Sequence, residues 1–341
     1  MKSSISKLSL LLSTGALVLM LGVIGTAGCK RKVVETPPPP VPTPTPMPAG
    51  SLVFIQRGHL VRFDIESSQL TPLTSGKSSE WFPACSPKGD QVAYWTNAVD
   101  PANGGKGDTG SYNLWKMNLD GTNRSQITFM EDSSLQTSDM NLLVNDAPAW
   151  TSDGKKIIYT LSGDLWEMDS DGYNPETLLN GHGALCPAVS PDGKTVAFIS
   201  NSGDSVYNLW ALNLGDRTVK KVTNYTDWNV GSPSYSVDGR KILINLYKEN
   251  TTQVYTISAS DGGDSLNLTN NNRSLCPRFT QNDRKIVYSA YGTGEDAGLS
   301  LYIMNANGTD AKDLAVEGAS SPSWFPARAF VAAPFPTPVG K

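Results

Sequence analysis

Residues 187–199, Pro-Ala-Val-Ser-Pro-Asp-Gly-Lys-Thr-Val-Ala-Phe-Ile, are one copy of a pattern that the chain repeats. Aligned on its leading proline, the copies start at Pro83, Pro148, Pro187, Pro233, Pro277 and Pro322, at intervals of 65, 39, 46, 44 and 45 residues. A unit of that length is one supersecondary element. It cannot bury an apolar face alone and must stack on its neighbours.

Every copy reads as the same four short strands. Two residues after the proline stands a bulky side chain (Trp150, Val189, Tyr235, Phe279 or Trp324, with Cys85 in the same slot), and then a turn such as S-P-D-G. There Gly supplies positive φ and Asp supplies local hydrogen bonds. A β-branched and aromatic run follows, as in Val196-Ala197-Phe198-Ile199 or Ile157-Ile158-Tyr159. The third strand alternates, as in Leu114-Trp115-Lys116-Met117, and ends at Asp-Gly or Asn-Gly; a brief fourth closes on Ile127-Thr128, Val222-Thr223 or Leu268-Thr269. Strand units at a period in the forties predict a β-propeller.

The first unit opens on a second strand, Leu52-Val53-Phe54-Ile55, and its missing first strand appears at the far end as Pro322-Ser323-Trp324. Joining both ends in one blade closes a ring and leaves no open edge. The expectation is an all-β, six-bladed β-propeller over residues 51–333, with one blade closed by the N- and C-terminal strands and a proline-containing tail at 334–341. Ala329-Phe330-Val331-Ala332 also reads as a second strand and competes with Leu52 to Ile55 for that place.

The composite pattern P-x-W-S-P-D-G-K-x-I-A-F, then L-W-x-M-D-x-D-G, then x-L-T, resembles the WD-repeat-like repeat of the TolB-type propeller family, from residue 51 to about 333. The resemblance implies the fold and not an activity, because one propeller hosts many unrelated roles. TolB-type proteins carry an additional N-terminal α/β domain. None is expected here, where a proline-rich tether stands in its place, so the resemblance does not extend to Pal binding or to outer-membrane constriction.

Residues 1–28 carry Lys2 and Lys7, then an uncharged and mostly apolar stretch ending in Thr26-Ala27-Gly28 before Cys29. This reads as a secretory signal, and a cysteine directly after Ala-Gly resembles the bacterial lipoprotein box, with Cys29 as the lipidation site. An uncleaved transmembrane anchor is the alternative; either tethers the domain to a membrane outside the cytoplasm, in the periplasm or on the cell surface. Residues 29–50 form the linker. Their proline density favours polyproline II, which reaches about 65 Å between Lys30 and Gly50. Loss of the leader removes Lys2 and Lys7 and no acid, leaving 26 basic against 32 acidic groups and a net charge of −6. That balance gives no electrostatic case for a nucleic-acid partner.

Antiparallel blades sort their loops. The first-to-second and third-to-fourth turns share one face of the ring and are the short Gly/Asp turns. The opposite face receives the irregular connections 96–112, 129–147, 200–207, 225–231 and 291–299. Ahead of the repeat prolines on that face stand Trp81, Phe82, Asp146, His182, Asp227, Trp228 and Arg273. Aromatic rings among polar groups suit recognition of a protein loop or a glycan. The competing reading packs Trp81 and Trp228 beneath their own loops.

Catalysis finds little support. His59 and His182 are the chain's 2 histidines, and no G-x-S-x-G elbow occurs. Two histidines cannot supply the metal set plus base of the pectin lyases that share this repeat. Asp146, Asp227, Glu295 and Asp296 could be read as calcium ligands, but no twelve-residue calcium loop is present and the Asp-Gly pairs match turn chemistry. No enzyme activity, cofactor or metal is expected. Cys186 and Cys276 share one repeat position with a full blade between them, beyond the roughly 7 Å reach of a disulfide. The chain is therefore expected to be a monomeric, lipid-anchored, extracytoplasmic platform for an envelope protein partner, with a glycan-binding or glycan-processing protein as the rival.

Overall fold

The second strand of each repeat is buried on both sides, and its alternation shows how. In the computed structural model, which describes residues 50–98, 112–129, 147–280, 282–292 and 298–325, Val92 and Tyr94 pack with Val53, Ile55 and Leu60 of the preceding repeat. Ala93 and Trp95 point the other way, onto Trp150, Ile157 and Tyr159 of the next. Successive side chains of a strand leave on opposite faces, so each repeat is a sheet sandwiched between two others. The leader, Cys29, the tether, Asp146, Ala329 to Ala332 and the tail lie outside the described residues.

Six four-stranded antiparallel sheets result. Blade 1 takes its innermost strand from the chain's far end, Ala319–Phe325, followed outward by Ser51–Gln56, His59–Asp64 and Gln69–Pro72. The innermost strands of blades 2 to 6 are Glu80–Cys85, Ala149–Trp150, Leu185–Val189, Asn229–Tyr235 and Ser274–Phe279. Leu52 pairs with Trp324 and Gln56 with Ala319, which seats Leu52 to Ile55 as the second strand of the closing blade. Each of six core clusters draws its residues from two adjacent blades, including Leu52 and Phe54 of blade 1 against Val287 and Leu301 of blade 6. An open stack of six sheets has five interfaces. Six interfaces make a closed ring.

The two sequence signatures of the repeat meet across those interfaces. The threonine of the Leu-Thr ending accepts the backbone N–H that starts the third strand of its own blade: Thr74 from Leu60, Thr128 from Leu114, Thr223 from Leu209 and Thr269 from Val254, all at 2.8 to 2.9 Å. Each hydroxyl thereby satisfies a buried donor that the ladder leaves open. The glycine of the Asp-Gly turn in the next blade lies against the residue before that threonine. A Cβ at Gly262 would stand 2.5 Å from the Val222 carbonyl oxygen, and one at Gly172 2.6 Å from that of Ile127.

This contact separates two glycine substitutions. Gly121 and Gly262 both hold positive φ, but a Cβ at Gly121 meets its neighbouring carbonyl only at 3.5 Å. Gly121→Ala is expected to cost about 1 kcal/mol through backbone strain alone. Gly262→Ala is expected to cost about 1–3 kcal/mol more, because the blades must part. Urea unfolding of the two variants checks the order.

Candidate functional site

The residue before the repeat proline adopts positive φ in five innermost strands: Phe82 (49°), Cys186 (52°), Ser232 (49°), Cys276 (51°) and Ser321 (52°). The ladder with the second strand shifts register in those same five strands, as between Trp81 and Ala84 or between Leu275 and Arg278. An inserted residue kinks a strand and re-aims its side chain. Together with Ala147 of blade 3, the five line a cavity of about 20 Å³ that every blade helps to wall. A void touched by all six blades sits on the ring axis. It is a constriction with room for about one water.

On the short-turn side the constriction opens into a funnel of about 400 Å³, walled by the repeat prolines, the ends of the innermost strands and the first turns. Arg278 borders both spaces and, among the described residues, is the single charged side chain on either wall. One guanidinium nitrogen donates to the Pro277 carbonyl oxygen at 2.9 Å; among the described residues no carboxylate lies within ion-pair distance of it. Burial pulls its pKa below the ordinary arginine value, yet a guanidinium stays charged in proteins.

Sequence reasoning passed over Arg278, although a signal was present. The residue after the repeat proline is Ala84, Ala149, Ala188, Ser234 and Ser323 in the other copies. One copy replaces a small side chain with a long cation.

The residues expected on the loop-rich face are spread over their blades. Trp81 is 42% exposed, with its ring 6.3 Å from that of Phe82, which turns to the axis. His182 stands edge-on to Trp210 at 6.4 Å, and its Nδ1 lies 3.0 Å from the Asn180 carbonyl oxygen. Asp227 is exposed and paired with Lys248 at 2.9 Å. Trp228 is half-buried and packs on the cluster containing Val230 and Leu246, beneath its own loop. Arg273 is exposed and donates to the Gly292 carbonyl oxygen. Asp146 lies outside the described residues. The structure brings Trp81 and Phe82 together and holds each of the others within its own blade. Sequence reasoning also missed Phe129 and Tyr291, 62% and 50% exposed, at the bases of two of the irregular connections.

Other polar groups are spent on the scaffold. Glu80 is fully buried and receives Thr74 and Ser78 hydroxyls at 2.7 Å, His59 at 3.0 Å and Arg124 and Thr96 at 3.3 Å. A buried carboxylate so fully partnered fastens blade 1 to blade 2. Asp153, Asp192 and Asp238 each accept a hydroxyl and a backbone N–H within their own turns. Those bonds hold all three carboxyls below the usual carboxylate range.

Six four-stranded sheets packed face to face around a plugged axis define a six-bladed β-propeller, a scaffold that presents two unlike faces. The TolB beta propeller domain profile matches residues 161–333, half of the chain, and the chain belongs to that family. It is 33% identical over 109 residues to the Tol-Pal system protein TolB of Francisella tularensis subsp. mediasiatica (strain FSC147), an alignment covering 30% of this chain and 25% of that protein. The chain thus spans about a quarter of the length of the curated relatives it matches. TolB from Acinetobacter baumannii superposes with a TM-score of 0.65 at 22% identity, over 82% of this chain and 67% of that one. A putative TolB from Agrobacterium tumefaciens gives 0.61 at 16% identity, over 82% and 99%. At those identities the likeness is one of fold.

The three cysteines Cys85, Cys186 and Cys276 are free thiols. Burial pushes the Cys85 thiol up to about 12, and thiolate is the reactive form. At pH 8 the folded protein is expected to leave Cys85 unalkylated by iodoacetamide, whereas unfolding exposes all three; peptide mass spectrometry reads the difference.

Proposed function

We propose that this chain is a lipid-anchored, extracytoplasmic, non-catalytic platform that binds another protein of the bacterial cell envelope. The observation that carries the reading is the placement of exposed aromatic surface. Among the described residues, Trp81, Phe129 and Tyr291 stand open to solvent at the loop-rich face, and Tyr173 is the single exposed aromatic on a short turn. Large rings of low conformational entropy are the usual anchors of protein interfaces, and the rigid ring beneath them limits the ordering cost of binding. Asp227, His182 and Arg273 supply charge and hydrogen-bonding groups, each ahead of its own repeat proline, as Asp146 stands ahead of Pro148. The curated relatives are Tol-Pal system proteins, which supports an envelope setting. The leader and Cys29 support delivery to a membrane, with the proline tether giving the disc its reach.

A photocrosslinker at Trp81 in intact cells is expected to capture a discrete protein. Trp81→Ala combined with Phe129→Ala and Tyr291→Ala is expected to lower capture at least about tenfold without changing the melting temperature. A hit on a polysaccharide array that disappears with Trp81→Ala would replace this reading with the glycan-binding one.

Membrane attachment is tested separately. Cys29→Ser is expected to abolish metabolic labelling with palmitate and to move the protein from the membrane to the soluble fraction. Retention of the label overturns the lipidation of Cys29.

A further inference from the structure

We infer that the axial funnel on the short-turn face is a binding site for a small monocarboxylate, with its head on Arg278 and its body along the funnel wall. This site lies on the opposite face from the aromatic surface and does not depend on it. Arg278 is the sole charge on the wall of a cavity of about 400 Å³, a volume in the range of small-molecule sites. The cavity is blind, because the constriction below it holds about 20 Å³. A ligand entering from the open side ends at the guanidinium.

The described residues give that guanidinium no carboxylate partner. Among the described residues its hydrogen-bond partner is the neighbouring Pro277 carbonyl, and a half-buried cation without a counter-ion is costly. The hydroxyls of Ser86, Ser190, Ser236 and Thr280 on the wall donate to Asp90, Asp192, Asp238 and Asn282 of their own turns, and among the described residues the hydrogen bond from Arg278 runs to the Pro277 carbonyl instead. The fold does not need the arginine either. The other five copies place alanine or serine at this position and form the same blade. A side chain that the repeat does not require, and that costs free energy where it stands, is accounted for by a ligand that neutralises it.

The chemistry narrows the ligand. A guanidinium offers two parallel N–H donors that match a planar carboxylate. One positive charge, with no second cation on the wall, balances a monoanion and not a phosphate dianion. Trp150, Tyr235, Phe279 and Trp324 border the funnel among prolines, so the body of the acid meets rings and pyrrolidines.

Isothermal titration of the purified full-length protein with benzoate tests the inference, with benzamide and inorganic phosphate as parallel arms. Benzoate is expected to bind at millimolar affinity or better, and benzamide at least about tenfold more weakly. Arg278→Ala is expected to fold with an unchanged or raised melting temperature and to lose at least about tenfold in benzoate affinity. Arg278→Lys, which keeps the charge and loses the fork, is expected to fall between them. No benzoate binding, equal binding to Arg278→Ala, or tighter binding of phosphate would each overturn the assignment. So would a collapsed melting temperature in Arg278→Ala, which would make the guanidinium structural. Capture at Trp81 is unaffected by Arg278→Ala in every case, so the two proposals fail separately.

Discussion

The pairing of the two chain ends into one sheet is the interaction on which the other features depend. Ser51–Gln56 and Ala319–Phe325, the first and last strands of the described residues, form a ladder with each other. The entropy of closing so long a loop grows only slowly with its length, and the return is large. Closure completes the sixth core, where Leu52, Phe54 and Phe63 meet Val287, Leu301 and Val316. It also removes the two edges that an open stack would present. A ring fixed in this way imposes one axis, and the innermost strand of every blade must fit around it.

That demand is visible in the backbone. Five non-glycine residues on the axis hold left-handed conformations, among them the bulky Phe82. Such conformations typically cost about 1–3 kcal/mol each and persist where the surroundings over-determine them. Here the surroundings are the two flanking sheets and a following proline with fixed φ. The bulge turns one side chain inward in five blades, and with Ala147 of blade 3 the axis is plugged by Phe82, Cys186, Ser232, Cys276 and Ser321. The repeat therefore divides the molecule into a blind funnel on one face and a loop-bearing surface on the other.

A repeat scaffold makes departures from the pattern informative. Glu80 stands where the aligned copies have Asn145, Ala184, Val230, Ser274 and Ala319, and it is wholly partnered between blades 1 and 2. Arg278 departs from alanine and serine, and among the described residues no acid partners it. The first departure reinforces the ring; the second leaves a charge facing the funnel. Glu80 is fully buried and Arg278 half-buried, and the count of hydrogen-bond partners separates them further.

The sequence alone determined the number of blades, the order of the strands and the turns, because these rest on local chemistry, while the second strand of the closing blade was decided by the pairing of Leu52 with Trp324. Alternation with period two, glycine at positive φ and aspartate bonded to its own turn are written within a few residues of each other. It did not determine which side chains reach the axis or which rings stay exposed. Trp81 and Trp228 both stand ahead of a repeat proline, by two and five residues, and nothing local says which is covered; Trp228 packs on Val230 and Leu246 while Trp81 stays open. Arg278 sits in an ordinary strand beside an ordinary turn. It becomes the base of a funnel only because innermost strands distant in the chain converge on one axis, and that convergence is a product of inter-blade packing, which no single repeat encodes.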